Sequence, residues 1–297
     1  MTKRQSYERA IVGSLAGAAI VLATVLTAST ASGAGITFGV IEPHQYDLQI
    51  NKAPFNAVTQ FGFWNHDNQR FDAFGRKQTG PGTDTFFGVT SYARFFTLRF
   101  LPSVGWAAAF FVTEMRVQGP RVGVSGFADP LAGIAAWIKP SPATTLGLQT
   151  YVVFPFGASD VSAHHWSNIS TVLFDVSTHR FNLTGDAGGV FRSTRHATDM
   201  PDLDKGATFF TNIRLSYRVH KFFEPFLAFD FQVTGSDHDA RTGLTIPNSD
   251  SRESAWGAGL LMRFTDRFDV AARYAASIDG TNVTLTNALY VRFNYAW

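Results

Sequence analysis

Counted in steps of two from Thr281 to Trp297, Val283, Leu285, Leu289, Val291, Phe293, Tyr295 and Trp297 fall on one side. Thr284, Thr286, Ala288, Tyr290, Arg292, Asn294 and Ala296 fall on the other. A period of two is that of a β-strand, and this one has a single greasy face. The same rhythm recurs upstream. From Pro54 onward it predicts strands at 54–64, 85–99, 104–117, 127–138, 144–157, 166–177, 180–192, 207–219, 223–234, 253–265, 268–278 and 282–297, twelve in all. Most are long enough to cross a membrane as tilted strands of about 9 to 11 residues.

Charges share the face opposite the grease. In 207–219, Phe209, Ile213, Leu215, Tyr217 and Val219 oppose Asn212, Arg214, Ser216 and Arg218, and in 223–234, Leu227, Phe229, Phe231 and Val233 oppose Glu224, Asp230 and Gln232. An arginine turned into lipid at the bilayer midplane costs about 2 to 4 kcal/mol. The pattern is therefore stable in a membrane only with the charges inward. An open sheet of such strands would leave an apolar edge, so the sheet is expected to close on itself.

The connections alternate in length. Links at 65–84, 118–126, 158–165, 193–206 and 235–252 are long and polar, whereas 100–103, 139–143, 178–179, 220–222 and 266–267 are short; 279–281 breaks the alternation. Long loops on one rim, short turns on the other and an even strand count predict an all-β fold, a 12-stranded antiparallel transmembrane barrel of the outer-membrane type. Aromatic residues gather near strand ends, as in Phe61, Phe63 and Trp64, or Phe154, Phe156 and Trp166, where two interfacial girdles would use them.

Ahead of the barrel the chain has a basic start, an apolar run from Ala10 to about Leu26 and small residues to Gly35. This is the layout of a cleaved signal peptide, taken as residues 1–33, with a membrane anchor as the rival reading. Residues 34–53 break the rhythm and are expected to form a periplasmic arm, a plug segment or an extra strand. The barrel itself is 54–297. Removing the head takes away Lys3, Arg4 and Arg9 against Glu8, so the formal charge of +2 falls to about zero and no basic surface is left for nucleic acid. With no cysteine in the chain, disulfides, thiolate metal sites and a cysteine nucleophile are excluded.

The inward face supplies the candidate chemistry. Glu114, Arg116, Asp129, Asp186, Arg214, Arg218, Asp230, Arg263, Arg273 and Arg292 are expected to line the lumen, together with Asp175, Arg192, Glu224, Glu253 and Asp269. A twelve-stranded barrel is wider than the roughly eight-stranded kind that side chains fill and narrower than an open porin. These residues are thus expected to cross-link a partly filled interior, some of them lining a solute path. Tyr151, Phe210, Phe226 and Tyr290 are candidates for stacking an aromatic solute. Neither the Ser236-Asp237-His238-Asp239 stretch nor Asp186-Ala187-Gly188-Gly189 has the setting of a metal site or phosphate cradle, and no cofactor is expected.

Two resemblances bear on function. His165-Trp166-Ser167-Asn168 resembles the His-x-Ser-Asn stretch of outer-membrane phospholipases, with Ile169 where that family has Gly and Asn182 as the Asn on the next strand. It implies an acyl hydrolase that uses Ser167 as nucleophile. Gly126-Phe127-Ala128-Asp129 running into Pro130-Leu131-Ala132-Gly133, followed by Phe154-Pro155-Phe156-Gly157 and Trp166, resembles the outer-membrane family named for the meta-pathway of phenol degradation. That resemblance implies a barrel passing small aromatic or apolar molecules passively, without enzymatic activity. Its partners would be outer-membrane lipid, a small-molecule solute and, through the C-terminal strand, the barrel-insertion machinery. A structural or adhesive barrel is the third reading.

Overall fold

The computed structural model describes residues 41–50, 53–120, 122–197 and 200–297. The expected signal peptide lies outside them. Twelve strands form the wall. They are β1 (Phe55–Phe71), β2 (Lys77–Leu98), β3 (Leu101–Gly119), β4 (Leu131–Ser141), β5 (Thr144–Val153), β6 (Ser167–Thr178), β7 (Phe181–Arg192), β8 (Thr208–Tyr217), β9 (Phe223–Thr234), β10 (Ser251–Arg263), β11 (Phe268–Thr281) and β12 (Asn287–Ala296). Each pairs antiparallel with its sequence neighbours, and β1 pairs with both β2 and β12, which closes the barrel. The closing seam runs from Ala57 opposite Ala296 to Asn65 opposite Ala288.

The wall sorts side chains as the period of two requires. Along β9 every residue from Phe223 to Asp230 alternates exposed and buried, with Leu227 and Phe229 outward and Glu224, Phe226 and Asp230 inward. In β12, Leu289 is 46% exposed on the outside whereas Tyr290 is 4% exposed on the inside. Large apolar residues are exposed along the outside, and the buried charges of the wall lie on its inward face, the reverse of a soluble protein. Turned to hydrocarbon, the exterior needs no further covering.

The expected loop at 65–84 is corrected by the structure. β1 continues to Phe71 and β2 begins at Lys77, so the two strands project together as a hairpin with a bulge between Asp67 and Gln69. Its polar residues gave no greasy face to read. The extension is held instead by hydrogen bonds: Asp67 accepts from Thr83 and Thr85, each at 3.1 Å, and from Asn65. Gly75, with φ of 75°, closes the turn in a conformation that suits glycine. The long links at 193–206 and 235–252 also contain strand. Arg195–Ala197, Met200–Asp204 and His238–Asp239 make a separate three-stranded sheet.

Candidate functional site

Residues 41–50 include no strand and lie against the inward face of the wall. Glu42 Oε1 is 3.2 Å from Arg273 of β11, and the Ile41 carbonyl accepts from Arg214 of β8 at 2.9 Å. His44 Nε2 is 2.6 Å from Glu224 of β9, while its backbone N–H donates to Asn182 of β7 at 3.1 Å. Arg292 of β12 donates to Gln45 at 2.7 Å. The Tyr46 hydroxyl donates to Asp186 of β7 at 2.6 Å and accepts from Gln149 of β5 at 3.2 Å. Lys139 of β4 lies 3.1 Å from Asp47, and Trp137 of β4 donates to the Leu48 carbonyl at 3.1 Å. Ile41 and Tyr46 pack on Leu173 of β6. Ten residues thus reach eight of the twelve strands.

Beneath this segment the wall is cross-linked by an ion network. Asp230 stands between Arg214, at 2.8 Å, and Arg273, at 2.7 Å. The Arg273 guanidinium also lies 3.9 Å from the centre of the Tyr290 ring, a cation–π contact, and Tyr290 stacks on Phe63 with centroids 5.4 Å apart. Arg292 pairs with Asp269 at 2.6 Å. Glu224 has Arg218 at 3.4 Å and Arg263 at 3.6 Å beside His44. Charges as deeply buried as Arg214, Asp230 and Arg273 persist only when paired, and each of these three has an opposite charge within 3.2 Å.

Of the lumen-lining candidates, Asp186, Arg214, Asp230, Arg273 and Arg292 are buried on the inward face, and Arg218 and Arg263 sit by Glu224 where the wall meets its short turns. Glu114 and Arg116 lie elsewhere. Both are exposed, on the same side of β3 as Phe110 and Val112. They belong to the stretch of β3 leading into the hairpin with Val122–Phe127, opposite Phe127 and Ser125. Asp129 is buried off the wall strands, in the link before β4. Its carboxylate accepts from Gly157 N–H at 2.9 Å, Ser162 Oγ at 2.7 Å and Ala163 N–H at 2.8 Å, tying down the loop that ends at Trp166. Asp129 and Gly157 are both among the residues that carry the second family resemblance, so part of that pattern is a loop anchor.

The stacking candidates Phe210, Phe226 and Tyr290 are buried on the inward face, and Tyr151 meets Phe111 edge-on at 5.2 Å. The sequence reading missed Tyr46, Glu42 and His44, which pair with the wall only because the chain folds back between strands far apart in sequence.

The Ser-His pair forms, with Ser167 Oγ 3.1 Å from His165 Nδ1 and both residues buried. The expected third member does not join it. Asn182 sits opposite Ser177, ten residues along β7 from Arg192, the partner of Ser167, a separation of about 33 Å at the usual strand rise. It is engaged by Asp175 at 2.7 Å. Asn168 points to the other side of β6, where it bonds Thr150 and Ser170.

No curated protein matches the chain in sequence. Among solved structures, an outer membrane channel from Pseudomonas putida F1 shares the fold at a TM-score of 0.76 and 10% identity, over 86% of this chain and 100% of that one. The β domain of the Bordetella autotransporter BrkA is similar at a TM-score of 0.51 and 8% identity, over 82% and 100% of the two chains. Residues 67–293 match the family described as "Putative MetA-pathway of phenol degradation", which spans the barrel from the projecting hairpin to the last strand. The chain belongs to that family.

Proposed function

We propose that this protein is a passive channel of the bacterial outer membrane for small apolar or aromatic molecules, closed at rest by its own N-terminal segment. The observation that carries the reading is the wall itself, apolar outside and charged within, with residues 41–50 held across the inside by side chains from β4, β5, β7, β8, β9, β11 and β12. The barrel sits in lipid, and its contents are an aqueous, cross-linked interior. Family membership and the fold shared with an outer membrane channel favour passage over hydrolysis. Diffusion is the only driving force required.

In this reading residues 41–50, the described part of the expected arm or plug, act as a plug, and Tyr151 and Phe111 present aromatic faces on the inner wall to a solute. Acyl hydrolysis has no part in this reading. A serine nucleophile needs a base held by a third group, and His165 has neither Asn182 nor Asn168 at hand. The test is uptake of benzyl alcohol and related neutral aromatics into proteoliposomes with a lipopolysaccharide outer leaflet. Faster entry than into protein-free vesicles is expected; equal rates would contradict the channel. Phospholipid hydrolysis lost in Ser167→Ala would favour the enzyme instead.

A further inference from the structure

Where the long loops meet β6, β7 and β8, cations gather on the inward side. Arg192, the last residue of β7, lies opposite Ser167 and donates to the Gly206 carbonyl at 2.7 Å and to Thr208 Oγ1 at 2.8 Å. The Gly206 N–H donates in turn to Asp237 Oδ1 at 3.0 Å, and Lys205 Nζ is 2.5 Å from Asp237 Oδ2. Asp237 also acts electrostatically on both Arg192 and Arg195. Three cations therefore converge on one buried carboxylate. The other acid acting on Arg195 is Asp202, which is drawn off by His196 at 3.1 Å.

Arg195 is 4% exposed, one guanidinium nitrogen donates to the Pro201 carbonyl at 3.3 Å, and Nε has no acceptor among the described residues. A buried, charged donor without an acceptor is rare in folded proteins and calls for an explanation. Arg192, Arg195 and Lys205 are met in this cluster by Asp237 and Asp202, with Asp129 acting on the neighbouring His165. His165 beside it is pushed down to about 4, by burial first and then by Arg192 and Lys205, so it stays neutral and supplies a hydrogen-bonding group without a competing charge.

We propose that this cluster at the loop-side mouth is a binding site for the carboxylate of a small organic acid, with Arg195 and Arg192 as its donors. A planar guanidinium suits a carboxylate because its parallel N–H groups match the two oxygens. The site rests on the channel reading for its purpose, as the first stop for an anionic aromatic solute, yet its occupancy is measurable separately.

The probe is benzoate, titrated calorimetrically against the folded, detergent-solubilised full chain, with benzamide as the neutral isostere. Saturable benzoate binding at least tenfold tighter than benzamide binding is expected, together with a loss of tenfold or more in Arg195→Gln. Absence of benzoate binding, equal binding of the two probes, or an Arg195→Gln variant that folds and binds as before would each overturn the site. If Arg195→Gln does not fold, the comparison of the two probes on the unaltered protein decides. Failure of benzyl alcohol to enter proteoliposomes would sink the channel and leave this titration standing.

Discussion

Asp230 holds two guanidinium groups at once, Arg214 and Arg273, and none of the three side chains is more than 1% exposed. A buried ion pair adds little net stability over an apolar replacement, but removing one partner strands the other charge. Asp230→Asn keeps the shape and leaves two arginines facing a neutral amide. The expected cost is about 3 to 5 kcal/mol of barrel stability, read as a fall in the urea midpoint of the refolded protein in detergent. A midpoint unchanged within error would mean that water already solvates these arginines. At this scale the sequence was legible in part. Alternation placed Arg214, Asp230 and Arg273 on the inside because their strands have one unbroken greasy face. It misplaced Glu114 and Arg116, which lie on the same outward side of β3 as Phe110 and Val112, in the part of β3 that pairs with Val122–Phe127.

Among the elements, the segment 41–50 is distinguished by how it is held. Its contacts are ion pairs, hydrogen bonds and a few apolar residues, and no backbone ladder ties it to the wall. Deleting residues 41–50 is therefore expected to leave the twelve strands paired while raising single-channel conductance several-fold in planar bilayers. A deletion variant that folds and conducts as the full chain does would remove the plug. The strands themselves were legible because each repeats the same test of period two, and all twelve expected strands correspond to wall strands in order. The hairpin extension from Asn65 to Asp84 was hidden, since its buried face is largely polar, with Asn65, Asp67 and Thr83, and has no hydrophobic period to show. The contacts of residues 41–50 were hidden for a different reason: partners such as Glu42 and Arg273 are 231 residues apart and nothing local encodes their meeting.

For the whole molecule, closure and polarity are one physical statement. A sheet whose first and last strands pair has no edge, and its outside is free to be apolar only if hydrocarbon surrounds it. A chain without cysteine offers a direct test, because a single spin label can be placed without removing any native thiol. Leu289→Cys and Ala288→Cys are neighbours on β12 that point to opposite sides, at 46% and 1% exposure. In reconstituted bilayers the label at 289 is expected to collide freely with oxygen, which concentrates in lipid, and the label at 288 to be shielded from it. Equal oxygen accessibility at the two positions, or preferential contact of 289 with a water-soluble nickel reagent, would contradict a lipid-facing exterior and the channel built on it.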